Sequence, residues 1–273
     1  HQVKAYPDKI RSIHEDYIRA GADVITTNTF QLARRSFEGH FRDRAHMRHI
    51  GAPDLETRAA ELLAAAVALA REARDRAAGD RPVAIAGAVT TLEWCFRPDL
   101  APSEAEMQAE YREIMETMAR AGVDLILLET VNSVREARIG LAAAHEAGLP
   151  CWVSFVCDEQ GRLFTGETLA DAARALAPLN PEAILLNCAP PPDVAAGLRA
   201  LAEAFAGPKG AYPHIGRFDP PEWMFTDEYP PDRYLAEARR WVELGARILG
   251  GCCGTTPDHI RALAREFRAP APA

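Results

Sequence analysis

One pattern recurs along this chain and limits what it can fold into. A short β-branched or apolar run is followed by a longer amphipathic stretch rich in Ala, Glu and Arg. The runs are Asp23–Phe30 (DVITTNTF), Pro82–Thr90 (PVAIAGAVT), Asp124–Thr130 (DLILLET), Cys151–Cys157 (CWVSFVC), Ala183–Cys188 (AILLNC), Lys209–Ile215 (KGAYPHI) and Ala246–Cys252 (ARILGGC). Several are almost continuously apolar, as strands buried on both faces of a parallel sheet must be. Between them lie helical patterns such as Leu55–Ala77, Ser103–Ala121 and Asp232–Leu244. Ser103 with Glu106 reads as a capping box, and Gly21, Gly122, Gly148 and Gly245 stand where helices end before strands.

Repeated βα units over 273 residues fit a (β/α)₈ TIM barrel, with a doubly wound open sheet as the rival. A barrel needs eight strands, and only seven runs are present. The first clear element is a helix, Ile10–Ala20, so the barrel is expected to lack its first strand in this chain, that strand lying upstream. No linker divides the sequence, which predicts a single barrel domain over 1–273, incomplete at its N-terminus. The Pro-rich stretch Pro213–Pro231 reads as one long loop over a barrel face, and the tail after Phe267 as frayed.

Charge and composition narrow the function classes. A formal net charge of −8 argues against an electrostatic nucleic-acid or anionic-membrane binder. No apolar run approaches the roughly 18 to 20 residues that span a bilayer, and residues 1–9 lack the apolar core of a signal peptide. The expectation is a soluble cytoplasmic protein that acts on small molecules and binds neither nucleic acid nor membrane. A homo-oligomer is compatible with it.

In a TIM barrel the chemistry sits where strands end. Here those ends read Thr26-Thr27-Asn28-Thr29, Glu129-Thr130, Asn187-Cys188 and Gly250-Gly251-Cys252-Cys253-Gly254. Six cysteines are too few for a disulfide scaffold, and the adjacent pair Cys252 and Cys253 is poorly suited to bond to itself. Three thiols from two strand ends therefore converge on one mouth. Three thiolates with an open fourth position describe a catalytic zinc site, since structural zinc is closed by a fourth protein ligand. Such a site binds an incoming thiol and keeps it ionised at neutral pH. Cys95, Cys151 and Cys157 lack this context and read as buried small hydrophobes.

GADVITTNTF (Gly21–Phe30), DLILLET (Asp124–Thr130), LLNC (Leu185–Cys188) and GGCCGTTPDHI (Gly250–Ile260) together resemble the homocysteine S-methyltransferase family, in order along nearly the whole chain. That family includes betaine- and S-methylmethionine-dependent enzymes and the homocysteine module of cobalamin-dependent methionine synthase. The resemblance implies Cys188, Cys252 and Cys253 as ligands of one Zn²⁺, with homocysteine sulfur as the exchangeable fourth. It implies Glu129 as the acid that holds the homocysteine ammonium, and methionine as product. Asn28 and Thr27 are expected either to shape the substrate pocket or to satisfy the turn after their strand, and Asn187 to donate a hydrogen bond near a thiolate.

The chain departs from the family pattern in three places. It has no counterpart of the Asp-Gly motif that ends the family's first strand. The loop Gly87–Phe96 and the run Tyr212-Pro213-His214 differ where a methyl donor approaches, so the small donor (sulfonium, ammonium or methyl-corrinoid) stays open. Trp94 and Trp223 are candidates either to stack on a cationic donor or to anchor their loops. His14 and His259 read as packing or surface residues, His214 as either donor contact or buried support, and His40, His46 and His49 as part of an Arg-rich stretch that is either a lid or a solvated loop. Two rival functions remain: methylation of another thiol or selenol such as selenocysteine, and a zinc- and thiol-binding module without turnover. An aldolase-like barrel would need a lysine at a strand end, and Lys4, Lys9 and Lys209 do not supply one.

Overall fold

The computed structural model describes residues 2–38, 44–49, 55–219, 222–224 and 228–268. Its strands are β1 (Val24–Thr26), β2 (Ala84–Val89), β3 (Leu125–Val131), β4 (Cys151–Phe155), β5 (Ala183–Asn187), β6 (Lys209–Tyr212), β7 (Arg217–Asp219), β8 (Glu222–Met224) and β9 (Ala246–Leu249). Seven of them form one sheet in the order β1-β2-β3-β4-β5-β6-β9, every neighbour parallel. The order follows the chain because each strand is returned to the sheet's start by a helix, the right-handed crossover that parallel pairing demands.

The sheet curls into an open barrel. One face gathers Ala86, Leu125, Leu127, Ala183, Leu185 and Tyr212, with Val24, Trp152, Ile248 and Cys252 packed against them, into a single cluster that draws on all seven strands. Side chains alternate between faces of a strand, so the other set, including Ile85, Ile126, Leu128, Val153, Ile184 and Leu186, meets the surrounding helices. No described strand pairs the outer edge of β1 or of β9. Seven parallel strands with alternating helices match the expected barrel with one strand absent.

The helix Leu55–Ala77 has the expected bounds, and Ser103 caps Glu104–Ala121 with the expected box: its hydroxyl accepts from the Glu106 N–H, while the Glu106 carboxylate accepts from the Ser103 N–H. Gly21 and Gly122 close their helices with φ of +113° and +85°. Three expectations are corrected. The helix expected from Ile10 starts at Pro7, whose missing N–H costs nothing at a helix's first position. The strands are shorter than the apolar runs, because the polar residues at the mouth turn away from the ladder. The stretch 213–231 is not loop throughout, since β7 and β8 pair there as an antiparallel hairpin. In the Arg-rich stretch, Arg34–Glu38 is a helix tied down by Arg35 to Glu93 and Glu110. His40 and the tail 269–273 lie outside the described residues.

Candidate metal centre and substrate cavity

Cys188 directly follows β5, and Cys252 and Cys253 lie three and four residues beyond β9. The chain after β9 stays in step with the chain after β6: Gly250 N–H donates to the Ala211 carbonyl at 3.0 Å, Cys252 N–H to the Pro213 carbonyl at 3.0 Å, and Ile215 N–H to the Cys253 carbonyl at 2.8 Å. Thr255 Oγ1 donates back to the Cys252 carbonyl at 2.7 Å, and Tyr234 donates to the Gly250 carbonyl at 2.7 Å. Past the turn, His259 accepts from the Thr256 N–H through Nδ1 at 3.1 Å and donates from Nε2 to the Tyr229 carbonyl at 2.9 Å. His259 is thus a buried strut of the cysteine loop.

These restraints bring three sulfurs together. Cys252 Sγ lies 3.8 Å from Cys188 Sγ and 3.8 Å from Cys253 Sγ, and all three lie within 4.8 Å of one another. Ligands at about 2.3 Å around a tetrahedral zinc stand about 3.8 Å apart, so the two measured separations match the spacing of that ion's ligands. Their acidities are split as crowded thiols require. Cys253 is drawn well below the usual thiol range by hydrogen bonds from Cys188 and Cys252. Cys188 is pushed up by its hydrogen bonds with Cys252 and Cys253 and by burial. His214 lies against the cluster, near Cys253 and the Cys188 carbonyl, with its own pKa lowered by burial. Cys95 and Cys157 are each raised to about 12 by burial, and Cys151 is raised by the same cause. Those three read as inert thiols, in line with expectation.

Cys252 of the triad lines a cavity of about 700 Å³ that runs through the barrel to the gap between β1 and β9, lined also by Glu129, Leu127, Trp152, Leu185 and Tyr212 among others. Glu129 accepts from the Tyr212 hydroxyl at 3.4 Å. Its carboxyl is pushed up to about 7, first by burial; the bond from Tyr212 opposes the shift and the charge of Cys253 adds to it.

The other expected site residues divide. Thr27 is buried: its hydroxyl accepts from the Ala88 N–H at 3.0 Å and meets Thr29 Oγ1 at 2.7 Å, which ties β1 to β2 instead of facing substrate. Asn187 is wholly buried, and its amide bonds Thr130 and Ser154. Asn28 is exposed after β1. Trp94 is 45% exposed and stacks in a row with Phe96 and Phe164, at centroid separations of 5.9 and 5.7 Å. The side chain of Trp223 lies outside the described residues. Sequence reasoning placed Thr130 and Tyr212 in strand-end runs without giving either a role, and missed Ser154. The signal was available in principle, since 125-127-129 and 183-185-187 alternate on one face, but using it requires the strand register.

A model of the family described as homocysteine S-methyltransferase matches residues 1–267. The chain is 30% identical to the homocysteine S-methyltransferase YbgG of Bacillus subtilis, over 96% of this chain and 84% of that one. It is 27% identical to the selenocysteine methyltransferase of Astragalus bisulcatus, over 94% and 82%. The crystal structure of the metallated homocysteine methyltransferase MmuM of Escherichia coli superposes with a TM-score of 0.79 at 27% identity, covering 97% of this chain and 86% of that one. With the cysteine triad, the acid-lined cavity and the barrel all in place along this match, the chain is a methyltransferase-type enzyme that belongs to the homocysteine S-methyltransferase family.

Proposed function

We propose that this chain transfers a methyl group to the sulfur of L-homocysteine, giving methionine, with one Zn²⁺ held by Cys188, Cys252 and Cys253. The observation that carries the reading is the three-sulfur cluster, with two edges of 3.8 Å, at the end of a cavity that also holds Glu129. A zinc ion there supplies Lewis acidity that keeps a substrate thiol ionised near neutral pH, where a free thiol of pKa about 8.5 is mostly protonated.

The chain's own residues do the rest. Glu129, ionised and steadied by the Tyr212 hydroxyl, pairs with the substrate ammonium and so sets which way the side-chain sulfur points. Leu127, Trp152 and Leu185 give the cavity wall its apolar surface. In the transfer the substrate's sulfur–carbon bond forms as the donor's bond to the same methyl breaks. The donor keeps that electron pair, and the thiol proton leaves to solvent beforehand. Holding the two reactants in line contributes several kcal/mol to the rate. The donor is a small molecule carrying an activated methyl group.

The likeness to a selenocysteine methyltransferase favours a second acceptor, a selenol seated in the same way. The test is metal content of the reduced protein together with turnover on homocysteine and selenocysteine, each with S-methylmethionine and betaine as donors. One zinc per chain, lost in Cys252→Ala, and faster turnover on homocysteine are expected. A folded, reduced protein without zinc overturns the reading, and faster turnover on selenocysteine replaces the acceptor.

A further inference from the structure

The last inward-facing residue on each of four neighbouring strands is polar: Glu129 on β3, Ser154 on β4, Asn187 on β5 and Tyr212 on β6. Below this layer the same face is apolar, with Leu127, Trp152, Ala183 and Leu185. Asn187 is the hub. Its Oδ1 accepts from the Thr130 N–H at 3.1 Å and from Ser154 Oγ at 2.7 Å, while its Nδ2 donates to Thr130 Oγ1 at 2.8 Å. Ser154 also lies beside Tyr212, whose hydroxyl binds Glu129, so a line of neighbouring polar groups runs from Glu129 to Asn187. Ser154 and Asn187 are fully buried and Thr130 is 1% exposed.

The backbone shows what this hub restrains. Thr130 and Cys188, which follow Glu129 and Asn187 directly, are left-handed at φ of +58° and +54°. Neither is glycine, and a β-branched residue such as Thr130 reaches this region only under duress. Such conformations persist where the surroundings over-determine them. Here Asn187 binds both the N–H and the hydroxyl of Thr130, and it is itself the residue from which the chain turns into Cys188.

We infer that Asn187 is a positioning residue: its three hydrogen bonds lock the turns at the ends of β3 and β5, and thereby fix the angle at which the Cys188 sulfur meets its two partners and Glu129 enters the cavity. The inference rests on the reading that the three thiols hold a metal. A merely structural asparagine would, when removed, cost stability and leave metal affinity alone. A positioning one lowers affinity beyond what the loss of stability explains, because supporting hydrogen bonds around a metal site are worth about 10- to 100-fold in affinity.

The experiment measures Zn²⁺ affinity by competition with a chromophoric chelator, and the absorption bands of the Co²⁺-substituted protein. The proteins compared are the wild type, Asn187→Ala, Thr130→Val and Thr130→Ser. Leu141→Ala, in the distant helix Val134–Glu146, is included to match the loss of melting temperature. Asn187→Ala is expected to weaken Zn²⁺ by 10- to 100-fold and to shift the Co²⁺ bands. Thr130→Val weakens it less, Thr130→Ser retains the hydroxyl and stays near wild type, and Leu141→Ala keeps full affinity. Folded Asn187→Ala and Thr130→Val proteins that both bind Zn²⁺ within threefold of wild type would overturn the inference. If Asn187→Ala does not fold, Thr130→Val against Thr130→Ser decides it. A wild type that binds no zinc fails the functional reading itself, and this inference with it.

Discussion

Glu129 is asked to do two opposed things. Burial in the cavity wall raises its pKa from 4.5 to about 7, so the empty protein carries this carboxylate at a cost near neutral pH. The sign follows from proton counting. Between pH 4.5 and 7 the unfolded chain has released a proton that the folded chain still holds, so stability is lost as pH rises through that window. The full loss, present above pH 7, is on the order of 3 kcal/mol. Glu129→Gln removes it, and the metal-free variant is expected to melt higher than wild type at pH 8 and equally at pH 4. Its affinity for methionine, which has an ammonium and no thiol to confuse the titration, should fall roughly 30-fold or more at pH 8, as when one partner of a buried charge pair is removed. Wild-type affinity should decline below pH 7 and that of the variant should not. Parallel melting curves at both pH values would show that the carboxylate is not desolvated as the structure has it. Glu129 and the three cysteines drew attention in the sequence because each stands in a distinctive run at or just past the end of a strand. The roles of Thr130 and Ser154 could not be read there, since what marks them is a backbone dihedral and a cross-strand partner, and neither is written in residue type.

The elements carry the geometry of the thiols, above all the turn that joins β9 to the helix Pro257–Phe267. Gly254, in that turn, has φ of +87°, and a Cβ there would stand 2.2 Å from the Ile215 carbonyl oxygen, a backbone atom that cannot swing aside. That same residue's N–H binds the Cys253 carbonyl, so relief of the clash must pull the cysteine loop off its template. Gly148 is the control: its φ of +75° is similarly left-handed, but nothing lies within 4 Å of its would-be Cβ. Gly148→Ala should cost about 1 kcal/mol, the strain of the dihedral alone, and leave metal binding intact. Gly254→Ala should cost about 2–4 kcal/mol and weaken zinc as well. Denaturant unfolding with zinc titration of both variants checks this, and equal losses in the two would mean the turn is not a template. The glycines at helix ends and the helix bounds were legible because propensity and capping are local. The β7–β8 hairpin was not, since proline-rich sequence gives no alternation to count. Strand ends were overdrawn for a similar reason: an apolar run does not reveal where the ladder lets go.

At the scale of the whole molecule the open question is the gap in the barrel. No described strand pairs the edges of β1 and β9 that face it, and the cavity reaches it between Val24–Thr26 on one side and Arg247–Leu249 on the other. The helix Pro7–Ala20 covers it from outside, with Ile13, His14 and Tyr17 on the lining, and Tyr17 donates to the Thr255 carbonyl at 3.0 Å as a strap across it. His14 is 8% exposed with no partner for its Nε2, and burial lowers its pKa to about 4. Helix Pro7–Ala20 leads into β1 through Gly21, so its first turn is at the mouth end. A parallel strand placed before it would therefore run through the gap and reach the helix by a right-handed crossover. We propose that one extended, β-branched segment joined ahead of this helix fills the gap, pairs both edges and buries the apolar lining. Each 100 Å² of apolar surface it removes from water contributes roughly 2.5 kcal/mol. The expected outcomes are a higher melting temperature, less binding of a hydrophobic dye, and slower amide exchange in β1 and β9, with β3 to β5 unchanged. A segment of equal length made of Gly and Ser should do none of these. If the β-branched segment leaves exchange at both edges as fast as the Gly/Ser one does, the gap is not a strand site.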